Sequence, residues 1–81
     1  MKEQEYLARI RELMQARFDN IPPVEEIDLD TDLMEDLPLE SLDMVDLILT
    51  CETSFNVKLD MADAKNTHTI RQLIAWIEGA K

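Results

Sequence analysis

Leu37-Pro38-Leu39-Glu40-Ser41-Leu42-Asp43-Met44-Val45-Asp46-Leu47 decides how this chain is read. An approach containing proline ends at Glu40, and a run of apolar period begins with one serine set among acids. Proline has no amide to donate and restricts the residue before it, so Pro38 belongs to a loop. From Leu42 onward, Leu42, Val45, Ile48, Leu49, Glu52 and Phe55 recur at spacings of three and four, with Leu47 and Cys51 widening the stripe. That spacing predicts a helix ending near Phe55. Glu40 or Ser41 stands at its N-cap or first turn, where both residue types are favoured. If Glu40 supplies the cap, the Ser41 hydroxyl is left facing outward. Asp43 and Asp46, three apart, then share the outer face.

Working outward, Leu7, Ile10, Leu13, Met14 and Phe18 mark one face of a first helix over about Lys2 to Phe18, which Asn20-Ile21-Pro22-Pro23 stops. Residues 19–40 make a long connection, anchored by the apolar Val24, Ile27, Leu29, Leu33 and Leu37. Asn56-Val57-Lys58-Leu59 reads as a loop with two anchors, and Asp60 to Lys65 as one short helical turn. Thr69 followed three later by Gln72 is a capping box, opening a last helix with Ile70, Leu73, Ile74 and Ile77 on its face and Gly79 as its C-cap. The expected fold is all-α: one domain over residues 1–81, a small bundle of three main helices plus a short extra helix, with a long loop after the first.

Charge narrows the function. The 81 residues carry a net charge of −10, and the segment Glu25–Asp60 holds twelve acids against the single base Lys58. Such a body repels nucleic acid and anionic membrane surfaces, and it attracts basic protein surfaces. The lone Cys51 cannot form an intramolecular disulfide, which suits a reducing compartment. The polar N-terminus lacks the apolar core of a signal peptide, and no run reaches transmembrane length. A cytoplasmic monomer without membrane insertion is expected.

Ser41 has little catalytic machinery in the sequence. The chain holds one histidine, His68, and so small a domain promises neither an oriented base nor an oxyanion hole. Asp28-Leu29-Asp30-Thr31-Asp32 imitates the start of a calcium loop, but Leu33 and Leu39 stand where the sixth-position Gly and twelfth-position Glu are needed. No catalytic residue and no metal site is expected. Ser41 is better suited to accept chemistry done by another protein.

At this stretch the sequence resembles the acyl carrier protein family. Leu33-Met34-Glu35-Asp36-Leu37 is similar to the family's approach to its serine, and Ser41-Leu42-Asp43-Met44-Val45-Asp46-Leu47 to its Ser-Leu-Asp-x-Val-Glu-Leu motif. Glu52 and Phe55 match the end of the family's second helix, and Thr69-Ile70, Ile74 and Ile77 its last. The resemblance implies that Ser41 accepts 4′-phosphopantetheine from coenzyme A, through a separate phosphopantetheinyl transferase. The arm's thiol would then carry acyl groups as thioesters in fatty-acid or related acyl and polyketide biosynthesis. Glu40, Asp43, Asp46, Leu49 and Glu52 would meet basic patches on acyl-loading and acyl-processing enzymes. Leu47, Cys51, Ile70, Ile74 and Trp76 would line an acyl crevice between the second and last helices.

The alternatives are an aminoacyl or peptidyl carrier, and an unmodified acidic interaction module in which Ser41 only caps a helix. Four departures from the family pattern point to a specialised carrier. Glu40 replaces Asp, Pro38 replaces Gly, Thr53 and Ser54 thin the acidic face, and Thr67-His68 stand where small or apolar residues are usual.

Overall fold

Three helices form where the apolar spacing placed them: α1 (Glu3–Arg17), α2 (Ser41–Phe55) and α3 (Ile70–Gly79). Two 3₁₀ segments, Val24–Glu26 and Met61–Asn66, punctuate the connections. The structure, a computed structural model, describes residues 2–81. The two segments owe their shape to what stops them growing, Pro22-Pro23 before the first and the Asp60 carboxylate, which accepts from Ala62 N–H, at the start of the second.

α1 buries Tyr6, Leu7, Ile10 and Met14, while Leu13 and Phe18 pack partly against the core. Acids in its first turn and Arg17 in its last oppose the helix dipole favourably. The Tyr6 ring meets Phe55 of α2 at 5.3 Å between centroids, which joins the start of α1 to the end of α2. α3 buries Ile70, Leu73, Ile74 and Ile77 and has the capping box read from Thr69 and Gln72. Its face is narrow and unambiguous. Gly79 is not the C-cap, however: it is the last helical residue, the cap is Ala80 in right-handed backbone, and Gly79 has no positive φ. The left-handed C-cap belongs instead to Asn56 after α2, at φ 54° and ψ 50°, a conformation asparagine tolerates.

The apolar arc of α2 is wide, and here the structure corrects the expected phase. Met44, Leu47, Ile48 and Cys51 face α1 and α3, whereas Leu42 is 80% exposed, Leu49 51% and Val45 38%. With two competing stripes on one helix, packing chooses the one that fits between the other helices.

The long connection is ordered from both ends. Ile27, Leu33, Leu37 and Leu39 reach the core, and the Arg11 guanidinium donates to the Ile27 carbonyl at 2.7 Å. Its acids fold it. The Asp28 carboxylate accepts from Asp30 N–H, that of Asp32 from Met34 and Glu35 N–H, and that of Asp36 from Asp32 N–H. Those at Asp28 and Asp32 are Asx-type turns, so two carboxylates of the run that imitated a calcium loop are spent on backbone amides, while that of Asp30 pairs with Arg71 at 3.3 Å. The connection then clips to the start of α3. Leu33 N–H donates to the His68 carbonyl at 2.7 Å, Ile70 N–H to Thr31 and Arg71 N–H to Leu29. An isolated antiparallel bridge, Asp32 with Thr69, results. Orphan amides of α3 are thereby satisfied by loop carbonyls.

Candidate functional site

Ser41 is the first residue of α2 and is exposed. Glu40 is the N-cap, in extended backbone, and forms a capping box with Asp43. The firm half of that box is Glu40 N–H donating to the Asp43 carboxylate at 2.9 Å, with the Glu40 side chain turned toward the Asp43 amide. The Glu40 carbonyl takes Met44 N–H at 3.0 Å. Capping is therefore completed without the serine. Among the described residues the Ser41 hydroxyl has no hydrogen bond, and it stands where the dipole and first amides of α2 favour a phosphate oxygen.

Beside Ser41 opens an apolar pocket of about 300 Å³. Ser41, Met44, Val45 and Ile48 form its α2 wall, and Met34 reaches in from the long connection. Met61, Ala64 and Lys65 of the second 3₁₀ segment face them, with Thr67 and His68 behind. Ser41 and His68 thus share one pocket without a hydrogen bond between them, and no third group orients the imidazole toward the hydroxyl. That arrangement lacks the contacts of a nucleophile and its base.

The expected site residues fall into three groups. Glu40 and Leu49 are exposed, and Asp43 is half-buried at the cap. Asp46 is gripped by Arg17 of α1, through Nη2 at 2.7 Å and Nε at 3.0 Å, so its charge is already matched. The Glu52 carboxylate accepts from Leu59 N–H at 2.7 Å and holds the chain that leaves α2. Of the five residues expected to meet partners, Asp43, Asp46 and Glu52 therefore have carboxylates already bonded inside the molecule.

The five residues expected to line an acyl crevice do not meet at this pocket. Leu47, Cys51, Ile70 and Ile74 sit in the closed core, and Trp76 is half-buried against it. None of the five lines the pocket beside Ser41. Burial pushes the Cys51 thiol up to about 12, so it is an inert core group. Sequence reasoning missed the pocket because its far wall belongs to a short 3₁₀ segment with no strong period. One signal was present: Met34 and Met61, large apolar residues in polar loops, are 43% and 40% exposed.

A family model described as "Phosphopantetheine attachment site" matches residues 8–77. The chain is 40% identical over 74 residues to "Acyl carrier protein 2" of Pseudomonas aeruginosa, covering 89% of each chain. It is 32% identical over 75 residues to an acyl carrier protein of Campylobacter jejuni, covering 82% of this chain and 97% of that one. It is 29% identical over 79 residues to that of Beutenbergia cavernae, covering 98% and 94%.

Proposed function

Because this chain belongs to the acyl carrier protein family, whose cofactor is 4′-phosphopantetheine, we propose that its attachment point is Ser41 and that it carries acyl groups as thioesters for other enzymes. The observation that supports this most is the uncommitted Ser41 hydroxyl, exposed at the start of a helix that Glu40 and Asp43 cap. In the attachment step, Ser41 Oγ forms a bond to the phosphorus that bears the pantetheine group of coenzyme A. The bond from that phosphorus to the nucleotide bisphosphate breaks, and the serine proton passes to a base of the transferase. When bound, the arm supplies a thiol on which acyl groups are held.

The chain's own residues present that arm. The N-terminal end of α2 favours the phosphodiester, and solvent screens it from Glu40 and Asp43. Exposed Leu42 and Leu49, with Glu40 and Asp43 nearby, form a docking rim of modest apolar area for basic partner surfaces. Such a rim favours fast, salt-sensitive and readily reversed association, which a shuttle visiting several enzymes needs. In this reading the chain is a single-domain monomeric carrier without catalysis of its own, working in the cytoplasm in fatty-acid or related acyl or polyketide synthesis. Among the described residues, no helix is long and apolar enough to cross a membrane.

Incubation with coenzyme A, magnesium and a broad-specificity phosphopantetheinyl transferase tests the assignment. A mass gain equal to phosphopantetheine, absent in Ser41→Ala, is the expected result. No gain with several transferases, from a chain whose circular dichroism shows it folded, would overturn it.

A further inference from the structure

Resting on Ser41 as the attachment serine, we propose that the pocket beside it receives a short acyl group ending in a carboxylate, with Lys65 and His68 as its anion-binding rim. The observation is a reversal of charge. The chain has 18 acids against eight lysines and arginines and one histidine. The pocket wall nonetheless contains Lys65 and His68 and not one acid. The rest of the wall is apolar apart from Ser41 and Thr67, and the Thr67 hydroxyl is taken up by the Asp63 carbonyl at 3.3 Å. An apolar body with an anionic end is the ligand chemistry that such a wall matches.

The two basic groups are suitably placed. Lys65 has no ion pair among the described residues. The His68 backbone is fixed on both sides, its N–H donating to Gln72 Oε1 at 2.7 Å and its carbonyl accepting from Leu33 N–H at 2.7 Å. Its imidazole is therefore delivered to the pocket from a rigid point. The Asp32 carboxylate lies within electrostatic reach of His68 but is held by the Met34 and Glu35 amides. Lys65 supplies a permanent charge and His68 a ring N–H donor. At roughly 30 Å³ per water-sized group, a volume of about 300 Å³ takes about ten such groups. A six-carbon dicarboxylic half-thioester fits that allowance. Both side chains are exposed to solvent when the pocket is empty, so the rim sets a preference between cargoes.

The test uses the full chain loaded by a broad-specificity transferase from coenzyme A, hexanoyl-coenzyme A or adipoyl-coenzyme A. Intact mass reports loading, and amide, Lys65 Nζ and His68 ring NMR shifts report the rim. The expected result is a shift of the Lys65 and His68 side-chain signals with adipoyl cargo that hexanoyl cargo does not produce. Hydroxylamine should also cleave the adipoyl thioester about twofold to fivefold more slowly than the hexanoyl one, each normalised to its coenzyme A thioester, the range of an exposed ion pair. Lys65→Gln with His68→Gln should remove both differences while hexanoyl behaviour stays as it was. Equal rim shifts in all three loaded forms would assign the rim to the arm's own phosphodiester and overturn the cargo assignment. Loaded chain with no rim shift would overturn it as well. Failure to gain mass at all would sink the Ser41 reading and this one together.

Discussion

The guanidinium of Arg17 holds both carboxylate oxygens of Asp46, at 2.7 and 3.0 Å, across the gap between α1 and α2. This fork-to-fork geometry occupies an acid that the helix face would otherwise offer to a partner. Exposed pairs add little to stability, so Arg17→Gln should leave the thermal melt nearly unchanged. The transferase KM should fall, and its dependence on salt should steepen, because Asp46 becomes free. An unchanged salt slope in modification assays would mean that Asp46 takes no part in docking.

Glu52 is expected to behave as a structural acceptor. Glu52→Ala removes the acceptor of Leu59 N–H and should cost about 1–2 kcal/mol in urea unfolding. Glu52→Gln keeps an oxygen there and should recover most of that loss. Both should be modified at Ser41 as fast as the parent chain while folded. Slower modification of the Gln variant would restore a partner-reading role for the charge.

Asp32 makes stability depend on acid pH. The Glu35 N–H, and next the Met34 N–H, hold its carboxyl below the usual carboxylate range. A depressed folded value means that the contribution is fully present above the unfolded carboxylate value of about 3.9 and is lost as pH falls through the folded value. Thermal melts between about pH 2 and 5 should therefore show a steeper loss for the parent chain than for Asp32→Asn. Parallel curves would remove Asp32 from the acid transition.

Cys51 should be silent in the folded protein. With its thiol pushed up to about 12 by burial, little thiolate exists near neutral pH. Alkylation by iodoacetamide should proceed at the rate of chain opening and accelerate sharply through the urea transition. Rapid labelling of the native chain would contradict the closed core around α2.

Much of the architecture was legible because each helix carries its own signals. The α1 stripe ends at its C-cap Phe18, ahead of Pro22-Pro23, and Thr69 with Gln72 opens α3 as the capping box requires. The serine between acids at the start of α2 was legible for the same reason: a cap at Glu40 frees position 41. The rotation of α2 was not. Its apolar arc spans more than half the circumference, so spacing alone could not tell Leu42 and Leu49 from Met44 and Ile48. Nor could spacing show that Arg17, 29 residues before Asp46, neutralises it, or that Glu52 turns back to Leu59.

The order of residues by itself settled the three main helices, the capping box of α3, the acid-rich middle and the serine at the head of α2, since all of these are contests among near neighbours. Packing decided which face of α2 is hidden, which acids remain free, and where the open apolar pocket lies. Those outcomes depend on groups distant in the chain meeting once the core has closed, and burial and charge pairing then select among arrangements that local periodicity leaves equal.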